Sequence, residues 1–214
     1  MTSRPDGAEV CTMRTLLVAA LLATAVAVPG RAAAQLALSV RLGYALGRGE
    51  VVTGAHLADY VDASIPVQLD ATWRFGLLAA GAYVSYADDY AGPVLKDKCS
   101  GTGGSTCSSA GTRAGALLAW TFETGPVHPW AAVGLGWEWL QLDLGNGKGS
   151  FSGPEGSAQA GLDFAVAPFI GLGPWASASL GRYTGSTGLA TLKSGQAWHE
   201  WYTFGIRARF DLDL

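Results

Sequence analysis

Charge is scarce in this sequence. Lys, Arg, Asp and Glu together make up 14% of its 214 residues, against roughly 25% in an ordinary soluble protein. The formal net charge is −3, so there is no basic surplus to neutralise phosphates, which argues against a nucleic-acid partner. Long apolar runs are scarce as well. After residue 28 none approaches the ~20 residues that cross a bilayer as a helix, so no transmembrane helix is expected.

Cysteine is nearly absent: only Cys11, Cys99 and Cys107. The last two lie in "KDKCSGTGGSTCSS", a loop that closes easily on itself, and a disulfide is expected there in an oxidising compartment. A metal site would need ligands that the neighbourhood lacks. His56 and His128 stand in a loop and a turn without partners at a telling spacing. The glycine runs "GTGG", "GNGKG" and "GLGPW" lack the Lys-Ser/Thr and following helix of a phosphate loop. No cofactor or metal is implied.

What the chain does contain is glycine, 30 residues, and tryptophan, 8 residues. It also begins with an export pattern. In "MRTLLVAALLATAVAVPGRAAAQ" a positive flank at Arg14 precedes an apolar run from Leu16 to Val28, then Pro29-Gly30 and three alanines. This predicts a secretory signal peptide over residues 1–34, cleaved after Ala34, with residues 1–12 an upstream extension and Met13 the better start. The remaining 35–214 form one domain.

Along 35–214 a two-residue period recurs. In "LALSVRLGYALG", Leu36, Leu38, Val40, Leu42, Tyr44 and Leu46 alternate with Ala37, Ser39, Arg41, Gly43, Ala45 and Gly47. "SIPVQLDATW", "TRAGALLAWTF", "SAQAGLDFAV" and the closing "TFGIRARFDLDL" divide in the same way. Segments 77–87, 130–142 and 169–181 are noisier, and Pro174 sits awkwardly in the last. The total is eight strands. Short links near Arg74–Gly76, Glu123–Pro129 and Ala167-Pro168 alternate with long polar stretches at 48–61, 88–111, 143–157 and 182–197. That is the loop pattern of an all-β, up-and-down, eight-stranded antiparallel transmembrane barrel.

A soluble barrel or sandwich alternates too, with its apolar face inward. Three features favour the membrane version. The apolar sets carry almost no charge. The opposite sets are Gly, Ala and Ser with isolated charges, which suits a narrow lumen. Aromatics such as Tyr44, Trp73, Trp120, Phe122, Trp137, Trp139, Tyr202 and Phe210 collect near strand ends, where interfacial girdles form.

With its export signal, eight alternating segments and final strand "HEWYTFGIRARFDLDL", the chain resembles the small outer-membrane β-barrels of Gram-negative bacteria, of the OmpA/OmpX type. The resemblance implies an outer-membrane location, contact with outer-membrane lipids, and insertion by the barrel-assembly machinery reading the last strand. That signal usually ends in Phe; here Leu214 is last and Phe210 is the nearest aromatic.

On this assignment Arg41, Asp70, Arg113, Glu138, Asp163, Arg207 and Arg209 face the lumen. Unpaired buried charges are costly, so a network of ion pairs is expected, with Asp211 and Asp213 at the periplasmic mouth. Eight strands leave an interior that side chains fill. The expected role is therefore non-enzymatic: envelope structure, or surface loops for adhesion or binding, with loop 88–111 the leading candidate and its ligand unspecified. A narrow gated channel for small solutes is the alternative, and a lipid A-modifying enzyme a further one. For the enzyme, His199 would need a serine such as Ser177 or Ser179 beside it; Glu200 points to the opposite face. No catalytic residue is assigned.

Overall fold

The computed structural model describes residues 35–100, 107–122, 125–143, 147–188 and 197–212. The expected signal peptide, residues 1–34, lies outside them, as do Asp213 and Leu214. Eight long strands run in chain order: β1 (Gln35–Val52), β2 (Val61–Phe75), β3 (Leu78–Ala91), β4 (Ser108–Thr121), β5 (Val127–Asp143), β6 (Lys148–Ala167), β7 (Ile170–Tyr183) and β8 (Ala197–Leu212). Each pairs antiparallel with its chain neighbours, and β8 closes on β1 from Leu36↔Leu212 to Gly49↔His199. Closure leaves no free edge, which a bilayer would not tolerate.

The strict period sets the two faces. On β1, Leu38, Val40, Leu42, Tyr44 and Leu46 are exposed while Ser39, Arg41 and Ala45 are buried. On β8, Phe204 and Ile206 are exposed while Thr203, Arg207 and Arg209 are buried. Leu135, midway along β5, is 76% exposed. An apolar exterior around a polar interior is the reverse of a water-soluble barrel and suits lipid.

Pro174 occupies β7 facing outward. It pairs with Ile206 on β8, while the ladder to β6 passes from Gly161↔Trp175 directly to Phe164↔Leu172. A proline has no N–H to give, so one side of the ladder is interrupted without a change of register.

The two ends of the barrel differ. At one end the turns are tight, and glycines with positive φ, Gly76 at 64° and Gly125 at 76°, make two of them; this is the periplasmic end by the rule of short inner turns. At the other end the strands run on past the apolar band, and the faces exchange character. Leu140, Leu142, Phe151, Tyr183 and Trp201 point inward and are buried, while Gln141, Ser150 and Ser152 point outward. Water rather than lipid surrounds this part, so the apolar side turns in. For that reason 143–157 is not the long loop expected from sequence: β5 and β6 continue as a hairpin to Asp143↔Lys148.

Two short helices close the outer end, α1 (Leu57–Tyr60) and α2 (Pro93–Ser100). Leu57 and Leu95 are fully buried. The Gly92 N–H donates to the Tyr60 carbonyl at 2.8 Å, and a Cβ on Gly92 would fall 2.5 Å from the Asp59 carbonyl oxygen, so the second outer loop lies directly on α1. A disulfide joins Cys99 to Cys107, Cα atoms 6.0 Å apart, tying the end of α2 to the start of β4.

Candidate functional site

The lumen holds two groups of charges at different heights. In the periplasmic half, Asp163 on β6 accepts from Nη1 of Arg207 at 3.3 Å and Nη1 of Arg209 at 3.2 Å, both on β8. Arg207 also donates to the Ser39 hydroxyl from Nε at 3.2 Å and Nη2 at 2.9 Å. Arg41 Nε lies 2.7 Å from Asp70 Oδ2, its Nη1 donates to Gln159 Oε1, and Asp70 Oδ1 accepts from Gln68 Nε2 at 2.7 Å. Nearest the mouth, Arg209 Nη2 lies 3.0 Å from Asp211 Oδ2 and 3.3 Å from His128 Nδ1. A guanidinium can only donate, so His128 Nδ1 accepts, and its Nε2–H donates to the Gly125 carbonyl at 3.0 Å. Three arginines thus meet three aspartates.

Indole rings fill the space between. The Arg41 guanidinium lies 4.8 Å from the ring centre of Trp130 and 5.2 Å from that of Trp175, and the Arg207 guanidinium lies 4.2 Å from Trp130. These contacts are desolvated: Trp130, Trp175, Arg41 and Arg207 are all at least 94% buried, the setting in which cation–π attraction is strongest, about 2 kcal/mol. Glycine makes the room. A Cβ at Gly161 would sit 2.8 Å from Trp130, and one at Gly43 would sit 3.3 Å from Trp175.

The outer group is built on Arg113 of β4. Its Nη2 lies 3.2 Å from Glu138 Oε1 on β5 and its Nε 3.0 Å from Glu155 Oε2 on β6. Glu138 Oε2 meets Nε2 of His199 on β8 at 2.5 Å. His199 stacks on Tyr183 with centroids 3.9 Å apart and planes 12° off parallel, and Arg113 lies 4.9 Å from the Trp201 ring. Between the two groups is a cavity of about 20 Å³, bordered by Ser85, Ser157, Ser177, Ser179 and Thr203, large enough for about one water molecule.

All seven luminal residues expected from sequence face inward, and each has at least one oppositely charged neighbour. Arg207 and Arg209 share one acid on another strand, and Arg209 also uses Asp211 of its own strand. Sequence reasoning missed Glu155, because it fell in a presumed loop, and the indoles of Trp130, Trp175 and Trp201. It also missed the engagement of His128 and His199 by Arg209 and Glu138. His199 shares its parity with Thr203 and Arg207, which was the available signal that it points inward.

No family model and no curated protein matches the sequence. Structural neighbours do exist. Neisserial surface protein A aligns with a TM-score of 0.56 and 14% identity, over 80% of this chain and 95% of that one. Ail of Yersinia pestis, solved with the heparin analogue sucrose octasulfate, gives 0.44 and 16% over 83% and 99%. The N-terminal barrel of Pseudomonas aeruginosa OprF gives 0.40 and 12% over 84% and 99%. This chain shares with Neisserial surface protein A the fold of a small, closed, antiparallel β-barrel.

Its apolar exterior suits a lipid bilayer, and the barrel's tryptophans divide accordingly. Trp73 near the periplasmic end, and Trp137 and Trp139 toward the outer end, are about 40% exposed, as interfacial girdle residues should be. As for a nucleophile–base pair, Nε2 of His199 is taken by Glu138, and its Nδ1 has no hydrogen-bond partner among the described residues. Neither Ser177 nor Ser179 is hydrogen-bonded to that ring.

Proposed function

We propose that the barrel is a sealed, non-enzymatic component of the outer membrane, stiffened from within and offering its ordered outer face as a binding surface. One observation carries the reading: the Arg41 and Arg207 guanidiniums, with the Trp130 and Trp175 indoles, occupy the lumen at one level. Asp70 holds Arg41 and Asp163 holds Arg207 in place, and above them Leu57, Leu140, Phe151 and Trp201 form an apolar plug. A solute would have to break buried ion pairs, each worth about 3–5 kcal/mol when one partner is lost. The binding role rests on α1, α2 and the Cys99–Cys107 bond, which hold a fixed surface with little ordering entropy left to lose.

Reconstitution in planar bilayers tests the seal. Current traces should stay at the baseline, and stable steps of porin size would overturn the proposal. A narrow gated path is the second reading, favoured by the hydroxyl-lined cavity between the charge groups. It requires small, discrete steps that change when Asp163 or Glu138 is replaced.

A further inference from the structure

The barrel's outward face is almost free of charge until the outer ends of the strands, where Asp88 on β3 and Lys148 on β6 are exposed and where arginines and aromatic rings gather on the wall of β7, β8 and β1. Arg48 on β1 is exposed and stands directly across from Glu200 on β8. Trp198, two residues along β8 on the same face and 55% exposed, stands across from Arg182 on β7. The Arg182 guanidinium lies 5.5 Å from the Trp198 ring centre. The Tyr202 hydroxyl donates to Glu200 Oε2 at 2.7 Å, which fixes both side chains on this wall.

Height fixes what this wall meets. Arg48 follows Leu36, at the inner end of β1, by twelve residues. At about 3.3 Å per residue and a tilt of about 40°, this is roughly 30 Å along the axis, just above an apolar band about 25 Å tall. Below Arg48 the same wall is apolar: Leu46, Tyr44 and Leu42 on β1, Phe204 and Ile206 on β8, Leu180 and Leu172 on β7. Lipid chains therefore lie against the lower wall and their headgroups lie level with the arginines.

Spacing suits a single headgroup. Two strand separations of about 4.8 Å and a two-residue offset of about 6.6 Å put the Arg48 and Arg182 Cα atoms roughly 12 Å apart, a gap two arginine side chains can close from either side. A guanidinium binds a phosphate through paired N–H donors, and an indole beside it shields the contact from water. The opposite wall has a different character: toward its outer end β3 presents Asp88, which accepts from the Tyr86 hydroxyl at 3.0 Å.

We propose that Arg48 and Arg182, flanked by Trp198 and Tyr202, form a binding site for the phosphate of an anionic glycolipid in the outer leaflet. Its acyl chains run down the apolar wall of β7, β8 and β1. The site is on the lipid-facing side, apart from the lumen and from the α1–α2 surface.

The test uses the folded full-length barrel in neutral detergent micelles, titrated with a bis-phosphorylated glycolipid and with the same glycolipid stripped of phosphate, binding being read by native mass spectrometry. The phosphorylated lipid should be retained at least tenfold better. R48Q and R182Q should each lower that retention severalfold, and together they should abolish the preference. D88N, on the opposite wall, should leave it unchanged. Heat-modifiable migration on gels confirms that each variant is folded. Equal retention of the two lipids, an undiminished preference in the folded double variant, or displacement of the lipid by millimolar inorganic phosphate would each overturn the proposal.

Discussion

Nε2 of His199 lies 2.5 Å from Oε2 of Glu138 although the two residues are 61 positions apart and two strands, β6 and β7, lie between theirs around the barrel. The contact crosses the lumen, so it links opposite walls in a way that no ladder hydrogen bond can. Glu138 is also held by Arg113, which reaches Glu155. A single chain of contacts therefore ties β4, β5, β6 and β8 together under the outer plug.

Replacing His199 should expose the value of that link. His199→Ala strands a buried oxygen of Glu138 and leaves a void against Tyr183; a loss of about 3–5 kcal/mol is expected, as for a broken buried pair. His199→Gln keeps a donor on the same side and should recover a substantial part. Urea unfolding of the barrel in lipid, followed by tryptophan fluorescence, reads both. On the proposed non-enzymatic role, lipid A isolated from cells carrying His199→Ala should match that of the parent strain; an altered acylation pattern would contradict that proposal.

Asp163 is the shared anion of the periplasmic half, with no exposed side-chain surface. Asp163→Asn keeps its shape but removes the charge that faces both Arg207 and Arg209. The expected cost is about 3–5 kcal/mol. Arg209→Gln should cost clearly less, because Asp163 keeps Arg207 as a partner and Asp211, at the mouth, is partly exposed. An Asp163→Asn barrel as stable as the parent would show that the Trp130 ring and the Ser39 hydroxyl hold Arg207 without the aspartate.

Which parts of this were legible beforehand depends on what the bilayer demands. Lipid tolerates no charge, so wherever it surrounds the strand the outward set is apolar without exception, and the parity of Arg41, Asp70, Asp163 and Arg207 followed at once. Above the bilayer that demand ends. Phe151 and Leu142 turn inward while Ser152 and Gln141 turn outward, the phase of the pattern flips, and Glu155 was lost among Gly, Ser and Pro. The indoles were illegible for another reason. Tryptophan is at home in a girdle or in a core, and what admits Trp130 and Trp175 to the lumen is a glycine on a facing strand, a pairing that depends on register. His199 carried the right parity, but nothing in the chain pointed to Glu138.

The apolar band can be tested at its centre. Leu135 is the most exposed of the large apolar residues, and Leu135→Arg should destabilise the barrel by about 2–4 kcal/mol, the range for an arginine at the bilayer midplane. Gln141→Arg, six residues along the same face of β5 and beyond the band, should be close to neutral. Equilibrium unfolding in thin-bilayer vesicles compares them. Equal effects would mean that the membrane does not sit where the apolar face places it.

The outer face gives the last test. Cys99 and Cys107 are eight residues apart, and closing so short a loop is worth about 2.5 kcal/mol in the chain-entropy account. That stabilisation belongs to α2 and its contact with α1, because β1 to β8 remain a closed ladder without it. Cys99→Ser with Cys107→Ser should therefore leave heat-modifiable migration unchanged and raise amide hydrogen exchange over 93–100 at least tenfold, with a smaller rise over Leu57–Tyr60 through Leu95 and the Gly92–Tyr60 hydrogen bond. Exchange within Leu38–Ala45 of β1 should not respond. A uniform rise across the strands would mean that the disulfide supports the whole barrel, and that the outer surface is not a separately held unit.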